Sequence, residues 1–332
     1  MTQSSGYIKH LDGLRAISIL LVLLSHWLED CGLSDYPHIG QIGKIGVDLF
    51  FTISGFLITR NLLKTRDNPL GVSLKSFFIK RFLRLFPAFY LYLVGLILLQ
   101  IAVGFWVVND FGDYAWFFSY AANFFFFFEG NLYPSLNHIW SLAVEEQFYL
   151  IWPFIILLAS WKYYKPLLIG LIVIGLLSYA YDPQLALFPL GNFQFLAGGG
   201  LLAVNTMEGR KRNDLFWFLV IFASLFLGMD TFLQSLLAYC AFFLVRQSLT
   251  GMPSWTSWFF NNRFVIYVGV ISYGIYLFHR FIPYLFFATI KELGIELPGL
   301  VVFILLFPIV FILAHLSYKY FESYFLKLKA KF

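Results

Sequence analysis

Two ionisable residues in the first long apolar segment have a spacing that suits acid–base chemistry. Arg15 and His26 are 11 residues apart in an otherwise apolar run, which at about 100° per residue places both side chains on one helix face, about 16 Å apart along the axis. Ionisable groups are costly inside a membrane span and therefore indicate functional sites there. A histidine in such a place can take a proton from a hydroxyl group or act as a nucleophile. For either residue alone, a snorkelling arginine or an interfacial histidine is the alternative.

Two carboxylates lie at a similar predicted depth. Asp48 stands near the start of the second apolar run, and Glu145 lies about two turns inside the fourth. Because a carboxylate can set the tautomer of a histidine and stabilise the imidazolium, we predict that Asp48 or Glu145 orients His26. An exposed interfacial carboxylate is the alternative for Asp48. Glu146 follows Glu145 directly, and since both cannot face lipid, one should face a cavity and the other needs a partner.

Two stripes of polar side chains recur every three or four residues, the spacing of one helix face. They consist of His138, Ser141, Glu145 and Tyr149, and of Ser272, Tyr276 and His279. We expect His138, Tyr276 and His279 to bind substrate in a shared cavity. The alternative is that they are satisfied residues of a helix bundle.

A pair of arginines precedes the third apolar run. Arg81 and Arg84 lie three residues apart and therefore on one helix face. Together with Arg15 they can form an anion site, because the planar guanidinium group matches the geometry of a phosphate. The usual excess of basic residues on the cytoplasmic side of membrane proteins is the alternative explanation.

The composition requires that these residues be positioned by a membrane bundle. Apolar residues make up 60% of the 332 and charged residues 12%, about half of what a soluble domain carries. This excludes secreted, disordered and cytosolic globular classes. The net charge of +5 is expected in cytoplasmic loops and does not indicate nucleic-acid binding. Cys31 and Cys240 are too few and too far apart for a disulfide framework or a metal site.

The apolar runs predict an all-α integral membrane bundle of about ten spans, in a single domain of residues 1–332 without a separate soluble domain. The predicted spans are 12–29, 44–64, 84–107, 138–160, 166–181, 190–207, 215–229, 231–249, 264–290 and 298–322. The apolar run 114–128 is predicted to lie on the outer side without crossing. With both termini cytoplasmic, basic residues such as Arg210, Lys211 and Arg212 fall inside, and only Lys44, Arg280 and Lys291 do not.

Five segments, in order along nearly the whole chain, resemble motifs of the acyltransferase 3 family of bacterial membrane proteins. They are 11–15 (LDGLR) with ten residues between Arg15 and His26, 46–58 (GVDLFFTISGFLI), 81–87 (RFLRLFP), 138–149 (HIWSLAVEEQFY) and 272–279 (SYGIYLFH). By this resemblance, His26 corresponds to the family's essential histidine, Arg15 to its partner, and Arg81 and Arg84 to its paired arginines.

The resemblance implies a ten-span protein of the bacterial inner membrane that transfers an acyl group, commonly acetyl, from cytoplasmic acyl-CoA to a hydroxyl of an extracytoplasmic carbohydrate. Acetyl-CoA is then the donor, and no metal is expected. Many sugar-acetylating members carry an additional esterase-like soluble domain, which is not found here. The bundle is therefore expected to complete the transfer alone or with a separate helper protein.

Two chemical routes and one other class of function stay open at this stage. His26 either acts as general base for the acceptor hydroxyl, or is acylated first and passes the group on. A proton-coupled transporter or flippase would also place His, Asp and Glu inside spans. Such carriers usually consist of two related halves, whereas the ionisable residues here crowd into the first half, which favours an enzyme.

Overall fold

The architecture is described by a computed structural model, which covers residues 8–33, 39–104, 107–130, 133–209, 214–329 and 331–332. All regular elements in these ranges are helical, so the predicted all-α class is confirmed. Arg210, Lys211 and Arg212, predicted to be cytoplasmic, lie outside the described residues. The helices are α1 (Lys9–Asp30), α2 (Ile39–Lys64), α3 (Leu70–Val103), α4 (Tyr114–Phe118), α5 (Ala122–Glu129), α6 (Ile139–Leu158), α7 (Tyr164–Tyr181), α8 (Phe193–Met207), α9 (Asp214–Ser224), α10 (Met229–Thr250), α11 (Ser254–Phe260), α12 (Arg263–Val270), α13 (Ser272–Phe278), α14 (Phe281–Glu292), α15 (Gly299–Ser317) and α16 (Ser323–Lys329).

The number of helices able to cross a membrane is smaller than the sequence predicts. Within the described ranges, seven helices are long and apolar enough, and α12 with α13–α14 forms an eighth candidate bent by 57°. All ten predicted spans are helical over most of their length, but α8 has 15 residues and α9 has 11, fewer than the roughly 20 that a span needs. The protein is thus a multi-pass membrane protein with seven or eight candidate spans among the described residues, and the expected count of ten is not confirmed.

The apolar run at 114–128 forms no continuous helix. It is divided into α4 and α5 at Tyr120, whose φ of 53° lies in the left-handed region and breaks the helical path. Two hydrogen bonds hold α5 on α6: the Asn123 amide donates to Gln147 Oε1 at 3.1 Å, and Gln147 Nε2 donates to Asn123 Oδ1 at 2.8 Å. Helices of five and eight residues are too short to cross, as the sequence predicts.

The central helix α2 packs closely against both α8 and α1. A Cβ atom at Gly55 would lie 2.0 Å from the carbonyl oxygen of Leu196, and one at Gly199 would lie 2.1 Å from that of Thr52. The two backbones are therefore in direct contact, as is common where small residues meet in membrane helices. This contact determines which face of α2 is turned away from α8.

The helices alternate in direction, so that chemically distinct segments meet at the two ends of the bundle. At one end, here called the arginine end, the start of α1, the end of α2, the first half of α3 and helix α16 line a common space. At the opposite end, Asp30 at the close of α1 forms an ion pair with Arg280, which follows α13. The two ends thus offer separate approaches to the interior.

Candidate active site

Three arginines from two helices line a half-open space in the bundle, here called the inner cavity. It contains about 640 Å³ of space not filled by atoms. Helices α1, α2, α3, α6 and α13 contribute its walls. Its lining consists of Arg15, Val47, Phe50, Phe51, Ser54, Arg81, Arg84, Leu85, Ser141, Leu142, Glu145, Tyr149, Ser272, Tyr273 and Tyr276.

A second space, here called the vestibule, lies at the arginine end and contains about 1200 Å³. Its lining consists of Ile8, Leu11, Asp12, Arg15, Leu57, Arg60, Asn61, Arg81, Arg84, Val270, Tyr273, Tyr318, Glu322, Leu326 and Lys329. Arg15, Arg81, Arg84 and Tyr273 belong to both linings. The three arginines predicted as an anion site therefore converge at the junction of the two spaces.

The three guanidinium groups differ in their partners. Arg15 Nη1 forms an ion pair with Asp12 Oδ1 at 2.8 Å, and the guanidinium carbon of Arg81 lies 5.0 Å from the centre of the Tyr149 ring. Arg84 has no hydrogen-bond acceptor or ion-pair partner among the described residues. A guanidinium group in the interior without a counter-ion is well suited to bind an anionic ligand.

Glu145 faces the inner cavity. Its Oε1 accepts a hydrogen bond from Ser54 Oγ at 2.8 Å, and its Oε2 accepts one from the Tyr149 hydroxyl at 3.1 Å. These three side chains form one polar group on the cavity wall, beside the arginines. Glu146 is buried but belongs to neither lining. Of the two adjacent glutamates, Glu145 is thus the one placed to meet a ligand.

Three histidines and a tyrosine form a cluster beyond the far wall of the inner cavity. Ring centroids are separated by 5.4 Å between His26 and His279, and by 4.8 Å between His138 and His279. The Tyr276 ring lies 5.2 Å from His279 and 5.4 Å from His138. Tyr276 also lines the inner cavity, whereas His26 does not. The cluster therefore connects His26 to the cavity through His279 and then Tyr276.

Hydrogen bonds define the state of this cluster. His279 Nδ1 lies 2.6 Å from the carbonyl oxygen of Tyr276, and because a carbonyl only accepts, this nitrogen carries the hydrogen. His279 Nε2 and both ring nitrogens of His138 are buried without a partner among the described residues. The hydroxyl of Tyr276 lies 2.6 Å from Ser141 Oγ. In the described part of the chain no group of His, Cys, Asp and Glu is arranged to hold a metal ion.

The outer side of the cluster is closed by Arg280. Its Nη1 binds both carboxylate oxygens of Asp30, at 2.8 and 3.0 Å, and its Nε donates to the carbonyl of Pro134 at 3.2 Å. The indole of Trp27 donates to the carbonyl of His279 at 2.8 Å. These bonds join α1, α13 and the segment before α6 around His26.

The structure does not bring Asp48 to His26. Asp48 is 2% exposed and forms an ion pair at 2.9 Å with Lys44, whose ammonium group also donates to Gln234 on α10 at 3.2 Å. The reason is the helical phase of α2. Asp48 shares a face with Thr52 and Gly55, which are four and seven residues further on. This face packs against α8.

Glu145 is not in contact with His26 either, because its carboxylate is engaged by Ser54 and Tyr149. The position beside His26, which the sequence suggests for a carboxylate, is instead taken by the ring of His279. His138, Tyr276 and His279, expected to bind substrate, do lie together. The depth of both carboxylates along their helices follows from the sequence, but the neighbours of His26 do not.

Several residues that line the vestibule could not be recognised from the sequence as members of a site. Arg60 and Asn61 at the end of α2, and Glu322 and Lys329 near the end of the chain, line the vestibule. In the sequence they are ordinary cytoplasmic residues. Only the return of α16 against α3 places Lys329 beside the arginines.

Comparison with known proteins identifies the family of the chain. The family model described as an acyltransferase domain matches residues 8–319. The chain is 30% identical to the peptidoglycan O-acetyltransferase OatA of Listeria monocytogenes, over 96% of this chain and 56% of that protein. It is 30% identical to a putative O-acetyltransferase of Staphylococcus aureus, over 97% and 58%, and 29% identical to the putative peptidoglycan O-acetyltransferase YrhL of Bacillus subtilis, over 97% and 55%.

The chain therefore spans a little more than half the length of these relatives. No solved structure matches it. The family match covers nearly the whole chain, including the arginines at the junction and the histidine cluster. The chain belongs to the acyltransferase 3 family.

Proposed function

We propose that the protein is a membrane O-acyltransferase, which moves an acyl group, acetyl in the simplest case, from acyl-CoA to a hydroxyl of an extracytoplasmic carbohydrate. The observation that carries the proposal is the position of Arg15, Arg81 and Arg84 in the linings of both the vestibule and the inner cavity. Cations at this junction can hold the phosphates of a donor whose uncharged arm continues into the cavity.

The donor enters from the arginine end, which we take as the cytoplasmic side, with both termini on that side. Arg84 provides a guanidinium group without a partner among the described residues, and Arg15 and Arg81 add charge around it. Beyond them the walls become largely apolar, with Val47, Phe50 and Leu142. Such walls suit the pantetheine arm, which brings the thioester towards Tyr276 and the histidine cluster.

The transfer itself is assigned to His26. In the direct route, His26 takes the proton of the acceptor hydroxyl, the oxygen attacks the thioester carbon, the C–S bond breaks, and the departing thiolate receives a proton. In the two-step route, an imidazole nitrogen of His26 attacks the thioester carbon and the thiolate of coenzyme A leaves. The acceptor hydroxyl then attacks the acyl carbon, the C–N bond breaks, and the imidazole takes up the hydroxyl proton. In both routes Glu145 contacts the donor, because its carboxylate lines the inner cavity into which the donor arm extends.

The acceptor approaches from the opposite end, where Asp30 and Arg280 lie above the cluster. Two of the relatives are named as peptidoglycan O-acetyltransferases, one of them putatively, which supports a cell-envelope glycan as acceptor. The membrane is then the bacterial cytoplasmic membrane.

The proposal is tested with purified protein in vesicles, labelled acetyl-CoA and a glycan acceptor. Alkali-labile label on the glycan is expected. Arg84→Gln should raise the KM for acetyl-CoA about tenfold or more, because a hydrogen bond to a charged group contributes about 1.5–3 kcal/mol. The control is Arg263→Gln, since Arg263 is exposed and lines neither space. Absence of labelled ester with the wild-type protein, or an unchanged KM in Arg84→Gln, would contradict the proposal.

A further inference from the structure

The vestibule is lined by more basic residues than the three arginines that it shares with the inner cavity. Besides Arg15, Arg81 and Arg84, its lining includes Arg60 and Lys329, which do not reach the inner cavity. The cations of the vestibule are thus arranged in two tiers. The inner tier stands at the junction, and the outer tier, Arg60 and Lys329, lines the vestibule alone.

The outer tier is assembled from distant parts of the chain. Arg60 lies in the last turns of α2, and Lys329 is the last residue of α16. The π-helical turn Tyr318–Glu322 connects α15 with α16, and π-turns frequently occur at functional sites. Within this turn Glu322 is buried, and its carboxylate accepts a hydrogen bond from Ser317 Oγ at 2.9 Å. The turn allows α16 to pack on α3.

Basic side chains outnumber acidic ones in the lining of the vestibule. Its lining has five basic side chains and two carboxylates, Asp12 and Glu322, and Asp12 is already paired with Arg15. The space therefore favours a ligand that carries several negative charges. A ligand with two separate anionic groups fits two tiers better than one with a single phosphodiester.

We propose that Arg60 and Lys329 form a subsite for the 3′-phosphate of coenzyme A. This inference rests on the proposed function. A coenzyme A thioester has a diphosphate next to its pantetheine arm and a separate phosphate monoester on its ribose, whereas phosphopantetheine on a carrier protein has one phosphodiester. With the diphosphate at the inner tier, the ribose phosphate, which carries a charge of about −1.5 to −2, falls at the outer tier. The donor is therefore a free coenzyme A thioester and not an acyl carrier protein.

The experiment compares acetyl-CoA with acetyl-3′-dephospho-CoA in vesicles of phosphatidylcholine, which has no net charge. The wild-type protein should use acetyl-CoA with a kcat/KM at least tenfold higher. Arg60→Gln and Lys329→Gln should each reduce this preference several-fold, and the double variant should abolish it, because kcat/KM falls more for acetyl-CoA than for the dephospho donor. Lys327→Gln is the control, because Lys327 is exposed on the same helix and lies outside the lining.

A second measurement does not depend on the variants. Adenosine 3′,5′-bisphosphate should inhibit the wild-type protein at a concentration at least tenfold lower than adenosine 5′-monophosphate, since the two differ only in the 3′-phosphate.

Equal use of both donors by the wild-type protein, or equal losses on both donors in the variants, would overturn the subsite and leave the proposed function intact. If adding phosphatidylglycerol changes the activity of the wild-type protein but not of Lys329→Gln, while both prefer acetyl-CoA equally, the outer tier binds lipid headgroups and the inference is wrong. If neither donor supports transfer in the wild-type protein, the proposed function itself fails.

Discussion

The imidazole ring of His26 on α1 lies 5.4 Å from that of His279, which follows α13, centre to centre. The Nδ1 hydrogen of His279 is directed to the carbonyl of Tyr276, and Nε2 is an acceptor when the ring is neutral. His26 is therefore next to a second imidazole ring and not next to a carboxylate. The ion pair of Arg280 with Asp30 lies at the end of α1 that follows His26.

We expect His26→Ala to remove turnover without removing donor binding. Loss of a general base costs about a hundredfold to ten-thousandfold in rate, and loss of a nucleophile costs at least as much. Binding of acetyl-CoA, measured by calorimetry, should be unchanged because His26 does not line the inner cavity.

The matched control is His315→Ala. His315 lies 2.6 Å from the hydroxyl of Tyr267 and outside both linings. Single-turnover trapping without acceptor then separates the two routes: an acyl-protein in the wild type that is absent in His26→Ala indicates the two-step route. Turnover retained by His26→Ala would eliminate both.

Glu145→Gln should lower kcat at least tenfold without raising the KM for acetyl-CoA. The carboxylate accepts hydrogen bonds from both Ser54 and Tyr149, and an amide has only one oxygen to offer. Steady-state kinetics on the vesicles provides the measurement. Glu146→Gln is the comparison, because Glu146 is the next residue but belongs to neither lining. An equal loss of kcat in both variants would contradict a role of Glu145 that depends on its place in the inner cavity.

Asp48→Asn should reduce stability and leave catalysis unchanged. The substitution leaves the partly buried ammonium of Lys44 without its counter-ion, at a cost of up to about 3 kcal/mol. A lower thermal midpoint in detergent is expected, with the kcat of the folded protein within about twofold of wild type. Replacing both partners, Lys44→Met with Asp48→Leu, should recover part of the loss. A fall in kcat with an unchanged midpoint would mean that Asp48 does act on His26.

Gly199→Ala should destabilise the bundle by about 1–3 kcal/mol or more, as overpacking does. Its Cβ atom would lie 2.1 Å from the carbonyl oxygen of Thr52 and 2.6 Å from the amide nitrogen of Phe56. Gly95→Ala is the control, because no atom lies within 4 Å of a Cβ at that position and alanine is favoured over glycine in a helix by about 0.5–1 kcal/mol. Thermal midpoints of the two variants should move in opposite directions; a stable Gly199→Ala protein would contradict the close contact of α2 and α8.

Relationships within one helix could be predicted because they follow from 3.6 residues per turn. Arg15 and His26 share the continuous helix α1 and both turn towards the helix that carries Tyr276. Ser141, Glu145 and Tyr149 line one cavity, as their spacing predicts. That residues 114–128 do not cross was also predicted, from the distribution of charge around them, whereas the break at Tyr120 was not.

Relationships between helices could not be predicted in this way. The sequence places Asp48 at a plausible depth, but close contact at Gly55 and Gly199 turns its face of α2 towards α8. The pairing of His26 with His279, the arrangement of three arginines between two spaces and the return of Lys329 to the vestibule all depend on how helices pack. The sequence alone thus determined the membrane bundle and the residues that share a helix face. Only the tertiary structure decided which faces meet. The spacing of residues along one helix determines which of them share a face, whereas packing across the bundle determines which other helix that face contacts.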